Sequence, residues 1–335
     1  MAKGYNVLII GDGRIGRAAA YYFRKNNRIS HVDFFNSNKD VSRYDLLVGA
    51  MPGELGQQCT ELALKYGKNL IDISDIDPPF YLKIKKEIEK KGILVIPGCG
   101  FSPGLVNFIL GHEISSLNKI KEIEIKAGSL SRGEFFFPFL WCFEDLTLEH
   151  QLSSEQLISR QSKKFPPFAG YKEEYFFGIQ AESYFCASGF ENLLDKSKAE
   201  NFTCRVVRPY GFMHFFEFFK NQGFLRKENF ANSKKILEGL PKDNITLGQI
   251  NITGINKKIS WLMKSFSRKD EELNSMQKIT AAVPAVIGGF ILENKIKGPG
   301  LFFMEDLVRN KELFNPVISQ IKKHGIYFKK EIRRA

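Results

Sequence analysis

Six residues near the start of the chain have the spacing of a phosphate-binding turn. Gly11-Asp-Gly13-Arg-Ile-Gly16 places glycine at the first, third and sixth positions of G-x-G-x-x-G. In such a turn the first glycine permits a tight bend, the second lets a pyrophosphate approach the backbone, and the third lets the next helix pack closely on the strand. The amides at the helix N-terminus then bind the phosphates. Arg14 and Ile15 lie inside the pattern, and we expect them to contact the same ligand.

The residues on both sides of this turn predict the strand and the helix that it needs. Tyr5-Asn-Val-Leu-Ile-Ile10 is a short apolar run without alternation, as expected for a central parallel strand that is covered on both faces. After the turn, apolar residues repeat at helical spacing. They are Ile15, Ala18, Ala19, Tyr22 and Phe23. Strand, turn and helix stand in the order of a dinucleotide-binding unit, so we predict NAD or NADP as the cofactor.

The residue at the tip of the second predicted strand favours NADP over NAD. Asn36 follows Val32-Asp-Phe-Phe35, at the place where an NAD-preferring domain usually has an acid that binds the ribose hydroxyls. Asn36 is neutral and Lys39 follows closely, so a 2′-phosphate would meet a cation and no repelling carboxylate. A plain polar turn is the alternative interpretation of these residues.

The next apolar strand, Leu46–Ala50, begins too soon after Asn36 for the usual helix, strand and return helix to fit between them. Residues 37–45, fully extended, reach at most about 30 Å, which is enough for a bare crossover. The sequence therefore predicts an abbreviated Rossmann-type parallel sheet, with no helix between Asn36 and Asp45.

Two later strand ends contain further candidates for cofactor contacts. Met51 and Pro52 end one strand and are predicted to touch the cofactor. Asp72 and Ser74 end the next strand, and they either contact the nicotinamide ribose or make local turn hydrogen bonds. Beyond residue 121 the pattern changes to alternating and aromatic-rich segments, which predicts a mixed α/β domain. In that domain, residues 256–277 are rich in Lys, Ser and acids and are predicted to form a linker.

Composition excludes several classes of protein. The net charge of +12 comes from cations that are scattered among acids, whereas nucleic-acid binders usually concentrate them on one face. Five widely spaced cysteines indicate neither disulfides nor a zinc site, and the single histidines offer no paired metal ligands. The apolar run Ile279–Leu292 is too short to span a membrane. We expect a cytoplasmic protein without nucleic-acid, membrane or metal partners.

Motifs along most of the chain resemble the saccharopine dehydrogenase-like oxidoreductases, and within them most closely the lysine 6-dehydrogenases. The most specific is Ile96-Pro-Gly-Cys-Gly-Phe-Ser-Pro-Gly-Leu-Val-Asn107. The resemblance implies a Rossmann domain, 1–107, and a second domain, 108–277, that binds substrate and pairs subunits as a homodimer. It also implies that the segment 278–335 returns to the Rossmann domain. The implied activity is hydride transfer between NAD(P) and a C–N bond of an amino acid or amine.

Two candidates for the active site lie in the first domain. Asp75 follows a strand end and is the preferred acid/base or the partner of a substrate ammonium group; the alternative is a helix cap before Pro78. Cys99 lies in a glycine-flanked loop before a helix, where N-terminal amides would lower its pKa. It is predicted to line the active site, and a small buried apolar residue is the alternative. Phe101, in the same signature, is predicted to contact substrate.

The second domain contains the candidate residues for an amino-acid substrate. Arg208 suits a carboxylate, because its planar guanidinium pairs with both oxygens; an ion pair inside the domain is the alternative. Glu182 matches an acid in the resemblance and would pair with the substrate ammonium group or with Arg208. Two other functions stay open: a C–N bond-forming imine reductase of the saccharopine or carboxynorspermidine type, and a non-catalytic cofactor-binding scaffold.

Overall fold

The apolar run Tyr5–Ile10 forms a strand inside a parallel sheet, as the absence of alternation predicts. The structure, a computed structural model, describes residues 4–74, 76–132, 142–186, 189–238, 243–268 and 270–334. The chain divides into two units. The first contains Met1–Ser116 and Lys278–Gly325, and the second contains Leu117–Gln277 and Ile326–Ala335.

Helices and strands alternate through the first part of the chain, whereas strands dominate the second. The helices are α1 Arg14–Arg24, α2 Gln57–Tyr66, α3 Pro78–Lys83, α4 Lys85–Lys91, α5 Leu105–Ile114, α6 Phe143–Glu149, α7 Glu191–Lys196, α8 Phe212–Asn221, α9 Lys227–Glu238, α10 Ser275–Leu292 and α11 Phe314–Lys323. The strands are β1 Tyr5–Ile10, β2 Ile29–Phe34, β3 Leu46–Gly49, β4 Leu70–Asp72, β5 Leu94–Ile96, β6 Ile120–Ser131, β7 Ser154–Ile158, β8 Gln161–Phe165, β9 Lys172–Phe176, β10 Ile179–Phe185, β11 Asn201–Pro209, β12 Asn244–Gly254, β13 Lys257–Phe266, β14 Gly300–Leu301 and β15 Tyr327–Arg334.

Within the described residues, the first unit has a six-stranded sheet in the order β14-β5-β4-β3-β1-β2, with every pairing parallel. This is the predicted Rossmann-type sheet, and β2 lies at its edge where a third strand would usually follow. The late strand β14 pairs with β5 at the opposite edge. Because parallel strands end on one side, the turns after β1, β3, β4 and β5 share one edge of the sheet.

The short crossover from β2 to β3 is held by side chains that point back to β2. The Tyr44 hydroxyl donates to Asp33 Oδ2 at 2.8 Å, and Lys39 Nζ lies 3.0 Å from Asp33 Oδ1. These two contacts, the tyrosine first, hold the pKa of Asp33 below its usual value. The crossover contains one 3-10 turn, Val41–Arg43, and no α-helix. The prediction of no helix at all misses this turn, which forms because Asp40 accepts a hydrogen bond from the Ser42 amide at 3.1 Å.

The second unit is built on a nine-stranded mixed sheet, counted over the described residues. Its main path is β15-β13-β12-β6-β11-β10-β9, with β7 and β8 attached beside β11. Strands β6 and β11 run parallel, and the other pairs are antiparallel. On β12 the side chains alternate, with Ile250 and Ile252 buried and Gln249 and Asn251 on the other face.

Two structural boundaries differ from the predicted ones. Residues 256–277, predicted as a linker, contain β13, which pairs with strands on both sides. The buried residues Ile259, Trp261 and Met263 alternate there with residues that are only partly buried, Ser260, Leu262 and Lys264. The high content of Lys and Ser obscured this period of two. The last residues, 326–335, belong to the second unit instead of the first, because β15 pairs with β13.

Helix α10 is long and apolar enough to cross a membrane by length and composition alone. However, 83% of its 18-residue window is buried inside the protein, which is the usual setting of a core helix. We therefore describe it as part of the core.

Candidate functional site

The glycine turn after β1 is built from three glycines with different surroundings. Gly11 has a φ of +113°, and a Cβ there would collide with the Ala50 carbonyl. A Cβ on Gly16 would collide with the Gly11 carbonyl, so this glycine lets α1 pack on the strand. A Cβ on Gly13 would meet no heavy atom within 4 Å. Gly11 and Gly16 are thus required by packing, whereas Gly13 leaves open space beside the backbone.

Helix α1 begins at Arg14, directly after that open glycine. Its first turn contains no acidic residue, and Arg14 and Ile15 are its first two residues. The N-terminal amides of a helix have no intrahelical acceptors and favour negative charge. The open Gly13 backbone and this uncapped helix start fit a dinucleotide pyrophosphate.

The tip of β2 is neutral, but the neighbouring cation already has a partner. Asn36 Oδ1 accepts a hydrogen bond from the Asn38 amide at 3.1 Å and forms a polar turn. The Lys39 ammonium lies against the Asp33 carboxylate. The segment therefore agrees with each interpretation in part. The neutral Asn36 leaves room for a 2′-phosphate, as a preference for NADP requires. The pairing of Lys39 with Asp33 and the Asn36 hydrogen bond are those of a polar turn.

The predicted contacts on β3 and β4 come together at the shared edge of the sheet. The Met51 amide donates to Ser74 Oγ at 3.2 Å, and the Ser74 amide donates to Asp72 Oδ1 at 2.9 Å. Pro52 follows Met51 in the same turn. Asp72 is fully buried, and burial raises the pKa of its carboxyl group. Its side chain makes local hydrogen bonds, which was the alternative to ribose contact.

The two predicted active-site residues of the first unit have different outcomes. Asp75 lies outside the described residues. Cys99 is fully buried, and its amide donates to the Asp72 carbonyl at 2.9 Å. Burial, followed by the Asp72 carboxyl group, raises the pKa of the Cys99 thiol well above its usual value. The expected lowering of this pKa is wrong, because loss of solvent outweighs any effect of the helix amides. Phe101 is also buried, at 3% exposure.

In the second unit, Arg208 lies in an ion pair. It is buried, and its Nη2 lies 2.8 Å from Glu149 Oε2. Burial acts most strongly on the pKa of Glu149 and would raise it, but the charge of Arg208, the neighbouring His150 and the hydrogen bonds from Cys186 and Arg208 together hold the pKa below its usual value. This is the ion pair that the sequence left open as the alternative to substrate binding.

Glu182 lies opposite Arg208 in the β10–β11 register, but it binds other groups. Its Oε2 accepts from the Gly211 amide at 2.8 Å, and its Oε1 accepts from the Met213 amide at 2.5 Å. Glu182 therefore caps the N-terminus of α8. Burial nevertheless raises the pKa of Glu182.

Sequence reasoning missed two groups beside the predicted residues. The first is Tyr81, whose hydroxyl donates to Asp72 Oδ2 at 2.8 Å. The second is the pair Glu149 and His150 at the end of α6, next to Arg208. Burial lowers the pKa of His150 to about 4, so its ring is neutral. No motif marks these residues, since their roles depend on partners far away in the chain.

A parallel sheet with a glycine turn, followed in the chain by a unit built on a mixed sheet, defines the class of two-unit proteins with a Rossmann-type dinucleotide-binding fold. The family model of the saccharopine dehydrogenase C-terminal domain matches residues 100–326, more than half of the chain. The chain therefore belongs to the saccharopine dehydrogenase family, as the motifs indicated. The closer resemblance to lysine 6-dehydrogenases stays a prediction.

Two solved structures are similar to this chain, and the first of them supports the fold. Apo saccharopine dehydrogenase (L-Glu forming) from Saccharomyces cerevisiae has 16% identity and a TM-score of 0.76, over 98% of this chain and 100% of that one. DAP dehydrogenase from C. glutamicum, in complex with DAP, has 12% identity and a TM-score of 0.46, over 91% of this chain and 94% of that one. A comparison with the curated proteins finds no match.

Proposed function

We propose that this protein is an NAD(P)-dependent oxidoreductase that acts on a C–N bond of an amino acid or amino-acid derivative. The observation that carries the proposal is the open backbone at Gly13, directly before the first turn of α1. Membership of the saccharopine dehydrogenase family supports the same class of reaction. The cofactor, when bound, supplies hydride transfer, so the protein has to bind it, orient the substrate and manage one proton.

Each unit contains candidate residues for some of these tasks. The glycine turn and the α1 amides would hold the pyrophosphate. Arg208 would bind a substrate carboxylate, which requires that it exchange its contact with Glu149 for one with the ligand. Asp75 would act as acid/base or hold the substrate ammonium group. Phe101 and Cys99 would support the wall of the site from inside the first unit.

We propose NADP as the preferred cofactor. Asn36 places no carboxylate at the tip of β2, so a 2′-phosphate meets no repulsion there. Lys39 would contribute little, because its charge is already paired with Asp33. The proposal includes a cytoplasmic homodimer, for which the support is the family resemblance and five free cysteines.

Titration with NADH and NADPH, followed by nicotinamide fluorescence, tests the cofactor assignment. Gly13→Asp should abolish binding, because its carboxylate would occupy the open space and repel phosphate. Asn27→Asp is the matched control, since it adds the same charge beyond the other end of α1 at an exposed position. Absence of binding to the wild-type protein at millimolar cofactor would overturn the proposal and favour a scaffold.

The choice of substrate needs a second assay. Lysine, ornithine and diamines test oxidation of a primary amine, as in lysine 6-dehydrogenases. Glutamate supplied with an amino-acid semialdehyde tests the reductive joining of two molecules, the saccharopine type of reaction. Turnover of one set identifies the reaction, and binding of cofactor without turnover of either set would contradict the proposed chemistry.

A further inference from the structure

A line of hydrogen bonds connects α3 to the loops at the sheet edge. The Tyr81 hydroxyl donates to Asp72 Oδ2, the Ser74 amide donates to Asp72 Oδ1, and the Met51 amide donates to Ser74 Oγ. The three distances are 2.8, 2.9 and 3.2 Å. Both oxygens of one buried carboxyl group therefore join α3 to the loop after β4, and Ser74 Oγ extends the line to the loop after β3.

Asp72 also contacts the neighbouring strands through its backbone and its volume. Its carbonyl accepts from the Cys99 amide at 2.9 Å, which holds the loop after β5. On the other side, Gly49 leaves room for the carboxyl group, because a Cβ at Gly49 would collide with Asp72 Oδ1. The ends of β3, β4 and β5 thus all meet this one residue.

Burial of a carboxyl group costs free energy because the group loses its hydration, and an apolar residue of similar size would avoid this cost. Here its two oxygens accept from specific donors at the functional edge of the sheet. In an open parallel sheet the ligand lies beyond the carboxyl ends of the strands. The arrangement is therefore one that controls the shape of this edge.

The sheet order assigns the two halves of a dinucleotide to different loops. In this fold the adenosine ribose would lie at the tip of β2, and the pyrophosphate would lie at the turn after β1. In the sheet, β3, β4 and β5 lie on one side of β1 and β2 lies on the other. The loops after β3, β4 and β5 would therefore face the nicotinamide half of the cofactor.

We propose that Tyr81 is a positioning residue, which holds the Met51 and Ser74 loops in place for the nicotinamide half of the cofactor by way of Asp72. This inference rests on the proposed function, and it adds a role for a residue of α3 that the cofactor itself does not touch. The pyrophosphate turn at Gly13 is not part of this line of hydrogen bonds.

Tyr81→Phe tests the proposal, because it keeps the ring and removes only the hydroxyl group. We measure dissociation constants for NADH and NADPH and for the matching fragments without nicotinamide, ADP-ribose and its 2′-phosphate. The variant should bind the full cofactor about tenfold more weakly, the effect of losing one hydrogen bond to a carboxylate. It should bind the fragment within about twofold of the wild-type protein, because that fragment depends on the glycine turn.

Tyr44→Phe is the matched control. Tyr44 is also buried, and its hydroxyl donates to an aspartate oxygen at the same distance of 2.8 Å, but at Asp33 in the crossover. It should leave the ratio of the two dissociation constants unchanged. Ser74→Ala, which breaks the next link without altering the aromatic core, should shift the ratio in the same direction as Tyr81→Phe.

The outcomes separate the two proposals. If the wild-type protein binds neither NADH nor NADPH, the proposed function itself fails. If the wild-type protein binds and Tyr81→Phe weakens cofactor and fragment equally, or weakens neither, Tyr81 has only a structural role and the positioning proposal is overturned. If Tyr81→Phe does not fold, the ratio measured for Ser74→Ala decides.

Discussion

The two units hold their candidate ligand groups in opposite ways. In the first unit the groups are backbone amides beside Gly13, a position with open space around it. In the second unit they are charged side chains, Arg208 and Glu182, which already bind Glu149 and the amides of α8. A site made of backbone needs only the local fold, whereas a site made of buried charges must release internal partners before it binds a ligand.

The physical reason is the free-energy cost of leaving a polar or charged group without a partner. An amide at a helix start can be hydrated by solvent until a ligand binds, so it has little free-energy cost. A buried guanidinium or carboxylate without a partner costs several kcal/mol, so the protein supplies one. The following variants test this contrast.

The largest effect is expected from the glycines of the turn. Gly16→Ala should lower the free energy of unfolding of the first unit by at least about 4 kcal/mol, because its methyl group meets the Gly11 backbone. Gly13→Ala should change it by less than about 1 kcal/mol, since its methyl group enters open space. Hydrogen exchange of residues 4–116 measures both. If both variants lost the same free energy of unfolding, a methyl group at position 13 would not enter open space, and the contrast between the two glycines would be wrong.

The ion pair of the second unit should have the next largest effect. Arg208→Met leaves the Glu149 carboxylate buried without its cation and should cost about 3 kcal/mol. Adding Glu149→Met should recover most of that loss. Trp261 belongs to this unit, and the sequence has no tryptophan in residues 1–116 or 278–325, so denaturant unfolding followed by tryptophan fluorescence reports it. A double variant as unstable as the single one would contradict the pairing.

The smallest effect is a dependence on pH that comes from His150. Burial lowers its pKa from 6.5 to about 4, so the unfolded chain takes up a proton at a higher pH than the native protein does. Stability from this residue is present above pH 6.5 and falls as the pH drops toward 4. Between pH 7 and 5 the second unit should lose about 2 kcal/mol from this source. His150→Gln should remove that part of the pH dependence, and an unchanged profile would show that His150 titrates normally.

Local pattern was sufficient for the nucleotide half of the fold. The apolar run before Gly11, the three-glycine spacing and the short interval between Asn36 and Leu46 predicted β1, α1 and the abbreviated sheet. Each depends on residues that are close together in the chain, where backbone sterics and the period of the hydrophobic residues determine the local structure. The same reasoning failed at β13, because an alternating pattern that is rich in Lys and Ser is weak evidence for a strand until the neighbouring strands are known.

Tertiary structure alone decided the partners of the buried polar groups. The sequence determined that Asp72, Cys99, Glu182 and Arg208 stand at strand ends or in motifs, and it left two roles open for most of them. Tyr81, Glu149 and the α8 amides reach these groups only after folding, and the surrounding burial sets the pKa of Cys99 upward instead of downward. Desolvation and hydrogen-bond partners depend on the whole packed environment, which no single segment of sequence contains.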